Sequence, residues 1–480
     1  MAAVRTISTT TIRARSGLNH GDSPQQIDLN PWDLQFLLLE YAQKGLLFRK
    51  PASSSSSSIL GETVIQQLKD SLSSTLDFFL PLAGRFLVVS HGGNLDLSSV
   101  FITCNNAGVS FVYAIAENTT VADIVEPTYV PPIVSSFFPS SNVKNFEAVR
   151  VPLVAVQVTE LVDGIFIACS MNHCLADVKP YWNFLNAWAQ ISRNGLNHIA
   201  PNSKLASFER WFPHGNIHRP IAISSKKIIE NHLKEPINLT QPSPPFSRRI
   251  FHFKREKIAE IKAKANSEVN DSVNSNKISS LQAIVALVWR SVIRNQNLDP
   301  EEEVTYRFLI SAGSRVSHPP IPEDYFGITV QLAVVTMKVR DLVGDTGFGK
   351  FASEMNRAVS SFTEEKIKSD FEAWIRNPIM RLQRATIGKC MGTSSSPRVN
   401  FYDIDFGWGR SVAVRGGPAN AKLWKLAADA GLEEDSFDIE LCASYEILEA
   451  LARDIEFMHA MESSLPAKLS TTRVAARTRL

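Results

Sequence analysis

The sequence lacks the features that mark several common classes of protein. It has only five cysteines in 480 residues and no Cys-x-x-Cys pair, which argues against disulfides and a zinc site and suits a reducing compartment. No apolar run approaches the roughly 18 residues of a membrane-spanning helix, and the N-terminus lacks the apolar core of a signal peptide. The formal net charge of +2 gives no reason to expect nucleic acid or an anionic membrane as a partner.

Several catalytic signatures are absent as well. The chain has no Gly-x-Ser-x-Gly, no P-loop and no His-Glu-x-x-His. Only an isolated Gly407-Trp408-Gly409 stands where a dinucleotide-binding protein carries a glycine-rich fingerprint. These absences count against serine hydrolases, nucleotide-binding proteins and metallohydrolases, and we predict no metal site.

The length and the distribution of proline predict two domains. A chain of 480 residues is too long for one compact core. Strands alternate with single helices in the first half, which indicates an α/β fold. Seven prolines then interrupt every regular pattern between Asn194 and Ser247, as in a long crossover. We therefore predict an N-terminal domain at residues 1–195, a crossover at 196–247 and a C-terminal domain at 248–480.

The most informative stretch is a buried strand that ends near a histidine and is followed by a helix. The runs Leu153–Leu161 and Ile165–Met171 are joined through Asp163-Gly164, a pair that is typical of a hairpin. His173 therefore comes directly after the second strand. Beyond it, apolar residues recur at helical spacing after Pro180, which predicts a helix that packs back on the sheet.

His173 is the candidate general base, and Asp177 lies four residues further on. A neutral imidazole at the end of a buried strand can accept a proton near neutral pH. Asp177 either orients the ring or holds the turn. The spacing is short enough to occur by chance, so a purely structural histidine is the alternative. Cys174 is a poor candidate nucleophile, because neighbours on a strand point to opposite faces.

A second motif, Asp405-Phe406-Gly407-Trp408-Gly409, is far more specific. From the composition it arises by chance in about 1 of 10⁴ such chains. Together with His173-x-x-x-Asp177, in this order, it resembles the BAHD family of plant acyl-CoA-dependent acyltransferases. The resemblance covers nearly the whole chain. Further segments that are similar to the family, in family order, are Leu29–Asp33, Gln43–Phe48, Phe79–Arg85, Pro319–Gly327 and Glu456–Met458.

The resemblance implies two similar α/β domains, as in chloramphenicol acetyltransferase, with a solvent channel between them. The acyl-CoA would enter from one side and an alcohol or amine from the other. By the same resemblance His173 is the base. Asp177 is expected to point away from the pocket and to pair with an arginine, for which Arg315 is the candidate, so that the loop is held in place.

Two other segments take roles from the resemblance. Asp405 to Gly409 would form a structural loop away from the chemistry, with Gly407 and Gly409 needed because the backbone flanks Trp408 closely. Ser394 to Ser396 corresponds to a Thr/Ser-Ser-Trp stretch of the family. Ser394 is therefore the candidate donor to the oxyanion of the tetrahedral intermediate, and an ordinary serine-rich loop is the alternative.

The expected activity is transfer of an acyl group from a CoA thioester to a hydroxyl or amine of a plant specialised metabolite. A thioester needs no metal or ATP, so we expect no permanently bound cofactor and acyl-CoA as co-substrate. Val178, Ser396 and Ile328 depart from the family pattern. They motivate an alternative, a member repurposed as a lyase-like enzyme or a ligand binder without turnover. The sequence does not identify the acyl donor, the acceptor or the choice between O- and N-acylation.

We also expect a monomer in the cytoplasm, because the two halves would complete each other's channel. Thr478-Arg479-Leu480 loosely resembles a peroxisomal address, which is a competing location. Met1 to Asn19 is basic and free of acids, like a transit peptide. The alternation from Val4 to Ile12 favours a first strand instead.

Overall fold

A computed structural model of the chain describes residues 4–17, 24–50, 61–91, 96–196, 205–214, 221–226, 245–269, 278–381 and 389–461. Most of the predicted crossover and the C-terminal Thr478-Arg479-Leu480 lie outside these ranges. The strands are β1 (Arg5–Ile12), β2 (Gln26–Asp28), β3 (Ala42–Arg49), β4 (Arg85–Ser90), β5 (Leu97–Thr103), β6 (Val109–Ile115), β7 (Val154–Glu160), β8 (Gly164–Met171), β9 (Ile223–Ser224), β10 (Ser247–Phe253), β11 (Glu303–Ser311), β12 (Val330–Lys338), β13 (Cys390–Thr393), β14 (Ala413–Gly416), β15 (Lys425–Ala430) and β16 (Phe437–Ala443).

Helices cover the sheets and connect the strands. The α-helices are α1 (Pro31–Leu34), α2 (Glu62–Leu76), α3 (Val121–Val125), α4 (Val178–Asn194), α5 (Arg255–Glu268), α6 (Ser280–Arg294), α7 (Val339–Val343), α8 (Gly347–Ser360), α9 (Glu364–Arg376), α10 (Tyr445–Leu451) and α11 (Ile455–His459).

Two six-stranded sheets form the framework. The first has the order β1-β6-β7-β8-β3-β14 and the second the order β10-β16-β15-β13-β11-β12. A smaller sheet has the order β2-β5-β4, with β9 paired to β5. β14 pairs antiparallel with β3, with Val414 opposite Leu46. One strand from the predicted C-terminal domain therefore belongs to the sheet of the N-terminal half.

The central hairpin forms as its sequence predicts. All residues of β7 and β8 are buried, which suits strands covered on both faces. They pair antiparallel, with Val158 opposite Ile167. Asp163 of the predicted Asp163-Gly164 pair ends the tight connection between them, and Gly164 is the first residue of β8. At the other side of the sheet, β1 pairs with β6, so the N-terminal alternation forms a strand, as predicted.

Helix boundaries depend on the residues that cap them. Ser279 caps α6, and its hydroxyl accepts a hydrogen bond from the N–H of Gln282. α4 begins at Val178, earlier than the predicted start near Pro180, because the carboxylate of Asp177 caps it. The segment after Ser444 does not form one continuous helix. It is divided into α10 and α11, because Asp454 caps a new helix at that point.

Within the described ranges, no helix combines the length and the hydropathy needed to cross a bilayer. All five cysteines are free thiols.

Candidate active site

His173 lies in a tight loop directly after β8, and a buried asparagine from another part of the first half anchors that loop. The side-chain oxygen of Asn145 accepts a hydrogen bond from the backbone N–H of His173 at 2.8 Å. The backbone oxygen of Asn145 accepts another from the side chain of Asn172 at 2.8 Å. Asn145 itself is fully buried and donates to the carbonyl of Phe36. The backbone and the side chain of Asn145 therefore hold both Asn172 and His173 in place.

The hydrogen bonds of the imidazole determine its tautomer. Nδ1 of His173 lies 3.0 Å from the carbonyl oxygen of Ala176. Because a carbonyl oxygen can only accept, Nδ1 carries the hydrogen in the neutral ring. The lone pair is then on Nε2. As a whole residue, His173 is partly exposed rather than completely buried. The ring is thus oriented as a proton acceptor through Nε2.

Burial keeps this imidazole neutral. Loss of water, with help from the positive charges of Lys425 and Arg381, lowers the pKa of His173 from 6.5 to about 4. The hydrogen bond to Ala176 acts in the opposite direction but is the smaller effect. The ring also packs against Phe36, with 4.7 Å between ring centroids. At neutral pH the base is therefore in its unprotonated form.

Among the described contacts, the carboxylate of Asp177 bonds to Thr329 and Lys179 and not to the imidazole of His173. One carboxylate oxygen, Oδ2, accepts hydrogen bonds from the backbone N–H of Thr329 at 3.0 Å and from its hydroxyl at 2.9 Å. The other, Oδ1, accepts from the N–H of Lys179 at 3.3 Å. Burial raises the pKa of Asp177, and the bonds from Thr329 oppose that change. The carboxylate thus ties the start of α4 to the segment that leads into β12.

The predicted ion pair between Asp177 and Arg315 is wrong. The guanidinium of Arg315 donates instead to the carbonyl of Phe362, at 3.4 Å. The register of the segment explains the difference: Thr329, which directly precedes β12, reaches the carboxylate with both its backbone and its hydroxyl. Arg315 lies in the turn that follows β11 and is directed towards the segment between α8 and α9.

A buried ion pair supports the segment that contains Thr329. Nε of Arg210 lies 2.6 Å from Oδ2 of Asp33, and both side chains are almost completely buried. Arg210 also donates to the carbonyl of Phe326 at 2.7 Å. Oδ1 of Asp33 accepts from the N–H of Ile328 at 3.4 Å. Three distant parts of the chain therefore meet directly behind the loop that holds His173. Sequence reasoning missed both charged residues, although Asp33 ends one of the family-like segments.

Ser394 lies at the end of β13, beside β15. Its N–H donates to the carbonyl of Leu426 at 2.9 Å, and its hydroxyl to the same carbonyl at 3.4 Å. The longer distance makes this a weak bond for the hydroxyl. Among the described contacts, none joins Ser394 to His173, so the oxyanion role assigned to Ser394 stays a prediction.

The Asp405–Gly409 loop packs at the opposite end of α4. Oδ1 of Asp405 accepts from the N–H groups of Gly407 and Gly409, at 2.7 and 2.9 Å. Oδ2 accepts from Arg193 near the end of α4, at 2.9 Å. The ring of Phe406 packs against Trp188, with centroids 4.9 Å apart. Since α4 has 17 residues, the loop is about 25 Å from the start of the helix, next to His173.

The glycines of this loop are required for a reason other than the predicted one. A side-chain carbon built at Gly409 would meet nothing within 4 Å, and one at Gly407 would meet only the Arg193 side chain at 3.7 Å. Close approach to Trp408 is therefore not the constraint. The φ angles are +102° at Gly407 and +85° at Gly409, in the region that side chains disfavour.

Cys174 is fully buried, and burial raises its pKa well above the ordinary thiol value. Such a thiol is a poor nucleophile. In the part of the chain that the structure describes, no cluster of three or more His, Cys, Asp or Glu residues could hold a metal ion.

The chain matches the Transferase family over residues 2–458. An uncharacterised acetyltransferase of Arabidopsis thaliana is 34% identical over 467 residues, which cover 95% of this chain and 99% of that protein. A BAHD acyltransferase of the same plant is 28% identical over 444 residues, which cover 91% and 89% of the two chains. The solved structure of F. graminearum TRI101 with coenzyme A and T-2 mycotoxin has a TM-score of 0.68 at 16% identity, over 91% and 98% of the chains. This likeness confirms the predicted two-domain α/β fold.

Proposed function

The chain belongs to the BAHD family of acyl-CoA-dependent acyltransferases, and we propose that His173 is the general base of its reaction. The enzyme transfers an acyl group from a CoA thioester to a hydroxyl or amine of a plant metabolite. The observation that carries the role of His173 is its geometry. The neutral ring, on a residue whose backbone is anchored through Asn145, has Nδ1 bonded to Ala176 and Nε2 left to accept a proton.

The reaction follows from that geometry. Nε2 of His173 takes the proton of the acceptor as its oxygen or nitrogen attacks the thioester carbonyl. A tetrahedral intermediate forms, with negative charge on the former carbonyl oxygen. When it collapses, the carbon–sulfur bond breaks, and the imidazolium returns the proton to the sulfur of coenzyme A. The products are the ester or amide and free coenzyme A, and the base is regenerated.

Two groups take supporting roles in this proposal. Asp177 holds the loop through Thr329 and does not touch the imidazole. Its effect on the rate would be through the position of His173. Ser394 is the proposed donor to the oxyanion, because its hydroxyl is only weakly engaged with Leu426 and is free to turn towards a ligand. Asp405 to Gly409 would act through stability alone.

The test is release of free thiol from a panel of acetyl-, malonyl-, benzoyl- and hydroxycinnamoyl-CoA with mixed alcohols and amines. We expect His173→Ala to lower the rate of any accepted pair by about 10²- to 10⁴-fold, because the reaction loses its base. The matched control is His91→Ala, since His91 bonds to Ser99 in the small sheet. A His173→Ala protein that folds normally and keeps most of its rate would remove His173 from the mechanism.

The family relationship favours transfer over the lyase-like or non-catalytic alternative. That alternative would require tight ligand binding without thiol release from any member of the panel. Thiol release with a single donor and acceptor decides against it.

We further propose that the protein is a monomer of the cytoplasm. Insertion of β14 into the first sheet joins the two halves within one chain, which supports the monomer. Five free thiols are consistent with a reducing compartment. Sedimentation equilibrium tests the first proposal, and a stable dimer would contradict it. Imaging of a fluorescent fusion in plant cells tests the second.

A further inference from the structure

Tyr181 lies near the start of α4, and its hydroxyl reaches back to the sheet that leads to His173. The residue is buried, with 3% of its surface exposed. The hydroxyl donates to the carbonyl of Cys169 on β8 at 2.6 Å and accepts from the N–H of Lys44 on β3 at 3.0 Å. Lys44 and Cys169 are opposite each other in the pairing of β3 with β8. One hydroxyl therefore joins α4 to both strands.

The hydrogen bond to Cys169 closes the loop that carries His173. The chain leaves β8 after Cys169, turns at His173 and returns to the sheet as α4, where Tyr181 lies. The hydroxyl thus fastens the two ends of residues 169–181 to each other. Between these ends, Asn145 holds the backbone of His173. A loop fixed at its ends and in its middle leaves the imidazole little freedom to move.

The side chain of Lys44 extends this connection into the second half of the molecule. Its ammonium lies 2.5 Å from Oδ2 of Asp429, on β15 of the second sheet. Only 10% and 14% of these two side chains are exposed. An ion pair that is largely removed from water is screened much less than a surface pair. Lys44 therefore bonds to Tyr181 through its main chain and to the second half through its side chain.

We propose that Tyr181 is a positioning residue for His173, and that it links the loop of the base to the second half through Lys44 and Asp429. The inference rests on the proposed function, because it concerns the same base. Among the described contacts, none joins Tyr181 to the imidazole, so its effect is through the position of the loop. Because a misplaced base can lower a rate by up to about 100-fold, such a residue affects kcat as well as stability.

The first test is Tyr181→Phe, which removes the hydroxyl and keeps the ring that packs against Phe401, with centroids 6.3 Å apart. We expect kcat for thiol release to fall about tenfold, because the loop is no longer fastened at its ends. KM for the acyl-CoA should stay within about twofold of the wild-type value, since no group that binds substrate is changed.

The second measurement reports on the imidazole itself. Nitrogen-15 NMR of protein labelled at histidine distinguishes the two neutral tautomers, and the signal of His173 is the one missing from His173→Ala. In the wild type the bond to the Ala176 carbonyl places the hydrogen on Nδ1. If Tyr181→Phe lets the loop move, that bond weakens and the fraction with the hydrogen on Nε2 rises. A tyrosine that only stabilises the fold would leave the tautomer unchanged.

Tyr113→Phe is the matched control for the loss of a hydroxyl. Tyr113 lies on β6 of the same sheet, and its hydroxyl donates to Glu160 at 2.5 Å. Since β7 separates β6 from β8, this variant should keep the wild-type kcat and tautomer.

The link to the second half is tested by double variants. Asp429→Asn weakens the ion pair with Lys44 and should lower kcat. Combined with Tyr181→Phe, it should lower kcat by less than the product of the two single factors, because both act on one connection. Lys422→Met breaks another ion pair between the halves, with Glu40 at 3.4 Å. Its effect should simply multiply with that of Tyr181→Phe.

Three results would overturn the proposal. One is a folded Tyr181→Phe protein with the kcat and the tautomer of the wild type, and another is a rise in KM at constant kcat. The third is a multiplicative effect of Asp429→Asn and Tyr181→Phe. If Tyr181→Phe does not fold, Asp429→Asn decides alone, and an unchanged kcat and tautomer would refute the link. Failure of the proposed function is distinct, because His173→Ala would then keep its rate.

Discussion

Replacing Thr329 with valine removes the hydroxyl that holds Asp177 and keeps the shape of the side chain. Oδ2 of Asp177 accepts both the hydroxyl and the N–H of Thr329. The variant keeps the hydrogen bond from the N–H of Thr329 but removes the one from its hydroxyl, so Oδ2 of the buried Asp177 loses one of these two bonds. Loss of a partner from a buried acceptor costs about 1–3 kcal/mol. For a domain of this size each kcal/mol corresponds to about 2–4 °C in Tm.

The effect on catalysis should exceed the effect on substrate binding. Asp177 caps α4 and ends the loop that begins at His173, so a looser cap lets the imidazole move. Because small misplacements of a base can lower a rate by up to about 100-fold, we expect kcat to fall about tenfold or more. KM for the acyl-CoA should stay nearly constant. Differential scanning calorimetry and thiol-release kinetics provide the two measurements.

Two control variants make this test specific. Thr336→Val changes an exposed threonine on β12, the strand that follows Thr329, and its hydroxyl lies 3.3 Å from that of Thr305. Arg315→Met removes the arginine that the sequence predicted as the partner of Asp177. Both should change stability by less than about 0.5 kcal/mol. If Thr329→Val changes stability and kcat as little as Thr336→Val, or if Arg315→Met lowers them instead, Thr329 does not hold Asp177 in the way assigned to it.

Three further outcomes follow from the structure. Since the pKa of His173 is about 4, kcat/KM should fall only as the pH drops towards 4, where protonation removes the base. A decrease of kcat/KM centred near pH 6.5 would contradict the effect of burial on this pKa. Circular dichroism at each pH verifies that the protein stays folded. Asp405→Asn should weaken the hydrogen bonds to Arg193 and to the N–H groups of the loop, and so lower the free energy of unfolding in urea by about 1–2 kcal/mol. The same variant should leave kcat unchanged, because the loop is far from His173. Phe406→Ala leaves a cavity beside Trp188 and should lower the free energy of unfolding by about 3–5 kcal/mol. A lower kcat without a loss of stability would contradict the structural role of the Asp405–Gly409 loop.

The sequence predicts best those elements whose signal is local. β7 and β8 are continuous apolar runs around Asp163-Gly164, and burial on both faces of the sheet produces that pattern. The cap and length of α6 follow from Ser279 and the apolar residues after it. The structural role of the Asp405–Gly409 motif came from the family resemblance, and the positive φ angles of Gly407 and Gly409 explain why the motif carries glycine there.

The contacts that hold the site could not be predicted in the same way. Asn145 anchors His173 from 28 residues away, and nothing in the local pattern of an asparagine indicates that role. Arg210 reaches Asp33 across 177 residues. Such partners are brought together by packing of both halves, which periodicity does not describe. Several short strands late in the chain, β13 to β15, were missed because they are only 4 to 6 residues long and carry small residues.

The departures from the family pattern leave the base intact for separate physical reasons. Val178 follows the capping aspartate as the first residue of α4. It is not among the described residues with positive φ, so a glycine is not needed there. Ile328 is completely buried, and its N–H donates to Asp33, so an apolar side chain at this position fits the core behind the loop. The hydroxyl of Ser396 accepts from the N–H of Arg398 within its own turn. Each change is accommodated where it occurs, and none alters a hydrogen bond to His173, so the geometry of the base does not depend on them.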